Sequence, residues 1–415
     1  MGDRIPAKDL VPVESLATLD TARPSELVVG IPVLNHARSI AQVMESMAMG
    51  LAKHFPSRKA MLLVVDAGSQ DGTREVIRSW KEKSPDAPLI QDVYLTGPAL
   101  RGRATLAILL LVRHLEAQAC ALVDANLTSA APAWVYQLLQ PVLQGEADYI
   151  SPVYTRLMSE GTLTTNLAAP LTRALYGKRI REVMGGCAGF SAKLASQVVE
   201  IDTRANDLDA YGMEMGLTTE ALVSGGKVVE THLGRKMVIA SPGEPDMATM
   251  LARVTGSLFG LMERYRAFWE PIDGSSPLPQ TDMPASFSSE ATEIHVERMV
   301  RAFRLGLKDL LPVWEQIMPE ETLAHLYPLG LLPVDEFRFP PLLWARVVFD
   351  FAVAFHEWRL PREHLLRALT PLYLGRVAAF LAEAQDATPS QFSDLLDHIG
   401  QAFEEEKGSL RARWR

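Results

Sequence analysis

Apolar runs and helical spacings alternate through the first two-thirds of the chain. LVVGIPVL (27–34), MLLVVDAG (61–68), PLIQDVYL (88–95) and ACALVDAN (119–126) read as buried strands. Between them, HARSIAQVMESMAMGLAKHF (36–55) places Ile40, Val43, Met44, Met47 and Leu51 on one helical face, and DGTREVIRSWKEK (71–83) and ATLAILLLVRHLEAQ (104–118) follow as further helices. Nearly continuous apolar strands separated by helices predict an α/β fold with a mostly parallel sheet covered on both faces. Ligands of such sheets bind at the carboxyl ends of the strands. Those ends carry Asn35, Asp66, Asp124 and Asn126.

Beyond residue 147 the pattern is mixed. ADYISPVYTRL (147–157) and KVVETHLG (227–234) read as strands, and LTTNLAAPLTRALYG (163–177) as a helix disturbed by Pro170. MGGCAGFSAKLASQVV (184–199) is a glycine turn leading through a short strand into a helix, and YGMEMGLTTEALVSGG (211–226) is a helix closed by glycines. The Pro- and Ser-rich stretch 270–290 interrupts this, and 291–415 reads as helices with wide apolar faces. The expected division is a flexible leader over 1–25, a main domain over 26–270, a connection over 271–290 and a helical region over 291–415. That last region is a candidate homodimer surface.

Composition narrows the class. A formal charge of −9 argues against a general nucleic-acid binder. The charged amino-terminal stretch has no apolar signal core, and the apolar run TLAILLLV (105–112) is too short to span a bilayer. Two cysteines, Cys120 and Cys187, cannot build a disulfide framework, so the expected location is the reducing cytoplasm. No Gly-x-Gly-x-x-Gly follows the first strand and SGGKV (224–228) is not a phosphate-binding loop, which removes two common nucleotide folds.

Taken singly, VVDAGSQDGT (64–73) is as well explained by a turn and a helix cap as by a ligand site. The ordered set is more specific: Pro32-Val33-Leu34-Asn35, then Asp66-Ala67-Gly68-Ser69-x-Asp71-Gly72-Thr73, then Arg101-Gly102-Arg103, then Asp124-Ala125-Asn126, then Gly185-Gly186, then Gly212-Met213-Glu214. Over about residues 26–240 this order resembles the retaining glycosyltransferases of GT-A type, and within them the glucosyl-3-phosphoglycerate and mannosylglycerate synthases.

The resemblance implies a GT-A fold with a helical carboxyl-terminal extension. It implies transfer of a hexose from a nucleotide diphosphate sugar, of the UDP-glucose or GDP-mannose kind, to a small hydroxy acid such as glycerate or 3-phosphoglycerate, with retention. Pro32, Leu34, Asn35, Asp66 and Ser69 would line the nucleotide pocket, and Arg101 with Gly102 would face the diphosphate. Gly185 and Gly186 would floor the sugar site, Glu214 would position the acceptor, and Arg156 beside Tyr154 would meet the acceptor's carboxylate or phosphate. The family's Mg²⁺ or Mn²⁺ would fall to Asp124, Asn126 and His232.

This chain departs from that pattern at three places. Asn126 stands where the family has a second Asp, Cys187 where it usually has Glu, and the stretch His232-Leu233-Gly234-Arg235-Lys236 has no His at the expected position. Lys236 and Arg235 are therefore candidates to neutralise a diphosphate in the metal's stead. Two other readings stand beside the enzyme: a non-catalytic sugar-nucleotide-binding relative, and a sugar-1-phosphate nucleotidyltransferase, which would need a glycine-rich basic loop after the first strand.

Overall fold

The computed structural model describes residues 10–84, 89–200, 210–240, 245–281, 287–288 and 295–414. The chain forms two compact units. The first comprises Met1–Tyr154, Met184–Glu244 and Leu278–Ala285; the second comprises Thr155–Val183, Pro245–Pro277 and Ser286–Arg415.

In the first unit the apolar runs are the strands of one sheet: β1 (Leu27–Val33), β2 (Ala60–Asp66), β3 (Leu89–Tyr94), β4 (Ala119–Val123), β5 (Tyr149–Leu157), β6 (Cys187–Ser191) and β7 (Val228–Arg235). The order is β3-β2-β1-β4-β6-β5, with β7 beside β5. β1, β2, β3 and β4 are parallel, and β6 runs antiparallel to both β4 and β5. Every residue of β1 and β4 is buried, which is why these strands carry no polar alternation.

The sheet is covered by α1 (Ile40–His54), α2 (Thr73–Lys83), α3 (Arg101–His114), α4 (Pro132–Leu143), α5 (Ala192–Glu200) and α6 (Ala210–Val223). Ile40, Val43, Met44, Met47 and Leu51 of α1 are buried, as their spacing predicts. They join Val29, Ile31, Leu62, Val64, Ala121, Val123, Trp134 and Leu138 in one core. At about 1.5–3 kcal/mol for each fully buried large apolar side chain, this core holds the strand ends in fixed register. The expected α/β architecture, a mostly parallel helix-flanked sheet with a helical carboxyl-terminal region, is thus present. Strand order reverses between β1 and β4, the place where an open sheet of this kind opens a crevice at its carboxyl edge.

In the second unit, α8 (Val296–Asp309) packs on α10 (Thr370–Ala384), and α9 (Pro341–His356) on α11 (Pro389–Arg413). Two pieces from the middle of the chain join them. The helix Ala169–Tyr176 packs on α11, and α7 (Met247–Arg264) packs on Arg362–Ala368. The compact units are therefore interleaved in sequence rather than divided at 270 and 290, because these helices bury their apolar faces on helices from the distant carboxyl-terminal part.

Pro170 starts the helix Ala169–Tyr176 after one π-helical turn, Thr164–Ala168. Within the expected connection, Ser276–Pro277 pairs with Lys178–Arg179, and the Glu230 N–H donates to Pro279 O at 2.9 Å. Its residues 282–286 and 289–290 lie outside the described residues. The expectation of a flexible leader is corrected over its described part. Val13–Asp20 is a helix, Leu10, Val11 and Leu19 are buried, and the Ser25 N–H donates to Leu115 O at 3.0 Å. A polar composition concealed three apolar anchors; residues 1–9 of the leader are outside the described residues.

Candidate functional site

The carboxyl ends of β1 and β2 are tied by a ring of side chain-to-backbone hydrogen bonds. Asn35 takes a left-handed backbone (φ 59°), its N–H donates to Ser69 Oγ at 2.8 Å, and its Oδ1 accepts from the Gln70 N–H at 2.9 Å. Asp71 accepts from the Ala37 and Thr73 N–H groups at 3.0 and 3.1 Å, and Thr73 Oγ1 accepts from the His36 N–H at 2.8 Å. The Asp71-Gly72-Thr73 turn does cap α2, but it also braces the loop after β1.

Asp66 is fully buried at the end of β2. Its Oδ1 accepts from Gly68 N–H at 3.0 Å, Ser69 N–H at 3.1 Å and Arg74 Nε at 2.9 Å. Its Oδ2 is buried without a hydrogen-bond partner. A buried carboxylate oxygen held this way can accept a further donor. Pro32 lies buried within β1, and the Leu34 N–H donates to His36 Nδ1 at 3.2 Å.

Across β1, about 10 Å away at ~4.8 Å per strand spacing, β4 ends in Asp124. Its N–H donates to Gly186 O at 2.8 Å, and its carbonyl closes a turn by accepting from the Leu127 N–H at 3.1 Å. Arg101, the first residue of α3, brings its guanidinium onto the Asp124 carboxylate, and the same Nη2 lies 3.8 Å from Glu214 Oε1. The three side chains are 17%, 11% and 20% exposed, respectively. Glu214, on α6, accepts the Gly186 N–H at 3.1 Å. Gly186 has φ 80°, and a Cβ there would stand 3.1 Å from Asp124 Oδ2, so the position needs glycine on both counts. Gly102 is buried in the first turn of α3.

Arg103 turns away from the acids. Its guanidinium donates to Pro98 O at 2.6 Å and Thr96 O at 2.7 Å, fixing the loop that enters α3. Two arginines in a first helical turn oppose the helix dipole by about 0.3–1 kcal/mol each. Here the two carboxylates and two carbonyls offset that cost.

Segment 236–239 is strapped beside this cluster. Ile239 N–H donates to Asn126 O at 3.1 Å, and Met237 N–H donates to Ser129 Oγ at 3.0 Å. Lys236 Nζ donates to Gly185 O at 2.7 Å and lies 5.0 Å from the Tyr154 ring centre. Tyr154 is buried between Gly185 O (3.0 Å) and Cys187 Sγ (2.9 Å).

Tertiary structure thus brings together Asn35, Ser69 and Asp66 in one subsite, and Arg101, Asp124, Gly185, Gly186, Glu214 and Lys236 in the next. Arg156 falls in the second unit, where it pairs with Glu182 at 2.6 Å. His232 lies within β7, and its carbonyl accepts from Gln137 Nε2 at 3.1 Å.

The donor set is short of acids for a divalent cation. Among the described residues no three His, Cys, Asp or Glu side chains converge as ligands. Of the expected trio, Asp124 holds a guanidinium, Asn126 Oδ1 is buried without a hydrogen-bond partner, and His232 lies along β7.

Sequence reasoning missed His36. It is buried, and desolvation, helped by the nearby Arg101 charge, lowers its pKa to about 4. Its neutral ring sits where the charges of Arg101, Asp71 and Asp66 all reach. A histidine directly after the Pro-x-x-Asn strand end was the available signal, but it read as the entry to α1.

No family model matches the chain, and no curated protein matches it. Among solved structures it is similar to glucosyl-3-phosphoglycerate synthase from Mycobacterium tuberculosis in complex with Mn²⁺, UDP and phosphoglyceric acid. The TM-score is 0.44 at 20% identity, over 60% of this chain and 82% of that one. It is also similar to mannosyl-3-phosphoglycerate synthase from Rubrobacter xylanophilus, with a TM-score of 0.40 at 19% identity over 64% and 81% of the two chains. These values describe a distant likeness, and the contacts above stand on their own geometry.

Proposed function

We propose that this protein is a glycosyltransferase that moves a hexose from a nucleotide diphosphate sugar to a small hydroxy acid, glycerate or 3-phosphoglycerate, with retention of configuration. The observation that carries this reading is the pairing of two adjacent subsites at the switch point of the sheet. One offers a buried, unpartnered carboxylate oxygen on Asp66 for an N–H of the base; the next offers a positive helix end at Arg101. In a nucleotide diphosphate sugar one ribose separates the base from the diphosphate, and the two strand ends lie about 10 Å apart by strand spacing.

Chemistry then consists of positioning and charge stabilisation. The anomeric C–O bond breaks with its electron pair going to the diphosphate. The acceptor hydroxyl oxygen bonds the anomeric carbon and its proton is released to solvent. Arg101 neutralises the leaving group, Gly185 and Gly186 leave room for the sugar, and Glu214 orients the acceptor. Retention and the hydroxy-acid acceptor rest on the motif resemblance alone. So do a cytoplasmic location and a homodimer through the helical region, which sizing coupled to light scattering would test. Arg362–Ala384 is long and apolar enough to cross a membrane by length and composition, and 67% of its apolar window is buried; we read it as a core segment.

The test is product formation. The full chain is incubated with UDP-glucose or GDP-mannose and each acceptor, and the product's anomeric coupling is read by NMR. No product and no free nucleotide with any pair would sink the enzyme reading. A second reading, a sugar-nucleotide binder without turnover, draws support from the same Arg101–Asp124 contact, which engages the one acid that the motif retains. Donor binding by calorimetry without nucleotide release would favour it.

A further inference from the structure

We infer that Arg101 is the resident cation of this site and that an anionic diphosphate binds here without a divalent metal. The inference deepens the glycosyl-donor reading and rests on it only for the identity of the anion.

Four observations carry it. The acids available to a metal are Asp124 and Glu214; position 126 offers only a neutral amide oxygen, and among the described residues no third His, Cys, Asp or Glu joins the two acids. Both acids are already turned on one guanidinium nitrogen, with Asp124 in direct contact and Glu214 at 3.8 Å. The acids cannot readily move apart, because Gly186 joins them: its carbonyl accepts the Asp124 N–H at 2.8 Å and its N–H donates to Glu214 at 3.1 Å. Nor does Arg101 swing out with its loop, since Arg103 clamps the helix entry through Thr96 O and Pro98 O.

A second fixed cation, Lys236, is held 2.7 Å from Gly185 O. Two cations against two carboxylates leave the cluster neutral. A divalent ion entering it would meet a guanidinium with no uncommitted acid, whereas a diphosphate would meet two positive groups anchored on rigid elements. The guanidinium fork also matches phosphate oxygens in a way a point charge does not.

Mn²⁺ is titrated into the full chain and followed by electron paramagnetic resonance, and inorganic diphosphate binding is followed by ³¹P NMR with and without excess chelator. The expected result is no Mn²⁺ site tighter than about 1 mM, with diphosphate binding unchanged by chelator. Arg101→Met is expected to weaken diphosphate at least ~10-fold and to gain one Mn²⁺ site that Arg101→Met/Asp124→Asn loses. Arg101→Lys, which keeps a cation, is expected to gain none. One equivalent of Mn²⁺ on the unaltered chain, abolished by Asp124→Asn, would overturn the inference. So would diphosphate binding that requires Mn²⁺, or an Arg101→Met variant that gains no site. If UDP-glucose is neither bound nor turned over while the expected results hold, the glycosyltransfer reading alone fails.

Discussion

Two arginines, one in each unit, meet two carboxylates apiece and show what distinguishes a structural ion cluster from a working one. Arg173, on the helix Ala169–Tyr176, is saturated. Its Nε donates to Glu404 at 2.8 Å and Ser275 at 3.1 Å, and its Nη1 donates to the Asp397 side chain at 2.6 Å and backbone at 3.3 Å. Gly400 makes the room, since a Cβ there would stand 2.5 Å from Arg173 Nη1. Arg101 touches Asp124 and approaches Glu214. A fully bonded guanidinium fixes helices. One that meets a single acid directly, at a helix start and beside a glycine turn, is the one proposed to meet a ligand.

That contrast can be broken by experiment. Arg173→Met is expected to cost most in stability, about 3 kcal/mol, because it strands Glu404 and half-exposed Asp397. Denaturant midpoints would register it, while donor affinity stays unchanged. A loss of donor binding at unchanged stability would erase the distinction between the two clusters.

Next is His36. Its pKa is depressed from 6.5 to about 4 in the folded state. The neutral form is the folded one, so its contribution is complete above pH 6.5 and is lost as pH falls towards 4. At about 1.4 kcal/mol per unit the loss approaches ~3 kcal/mol. Urea unfolding of the unaltered chain and of His36→Gln between pH 4 and 7 would show it, as a slope present in the first and flattened in the second.

Arg101→Met is expected to cost about 2 kcal/mol, less than Arg173→Met, because it removes one direct acid contact rather than two. It should lower kcat for sugar transfer about 10²-fold. An effect on Tm as large as that of Arg173→Met, with turnover intact, would place Arg101 among the structural clusters. The smallest change is expected from Glu214→Gln: about a 10-fold rise in KM for the hydroxy acid, with donor binding retained. If only donor affinity moves, Glu214 faces the sugar rather than the acceptor.

Strand ends and helix faces were legible in the sequence because they obey local rules. Continuous apolar runs became β1 and β4, the α1 face followed its spacing, and Pro170 fell at a helix start. Asn35, Asp66 and Asp124 could be singled out because each ends an apolar strand, and Glu214 because it follows Gly212-Met213. Arg101 was legible as a phosphate-facing cation but not as the partner of Asp124, for residues 101 and 124 share no local pattern. His36 was hidden because burial, not spacing, keeps its ring neutral. Leu10, Val11 and Leu19 were hidden by polar neighbours that dominate a composition average.

By itself, then, the sequence determined the alternation of strands and helices, the polar strand ends, and the loss of the second acid at Asn126. Each is encoded within a few neighbouring residues, where periodicity and turn chemistry act. Only the tertiary structure decided that the chain is interleaved into two compact units, that Gly186 bridges Asp124 to Glu214, and that the acid pair encloses a guanidinium. Those outcomes depend on which distant surfaces bury each other and which charges are thereby brought out of water, and no local pattern in the chain carries that information.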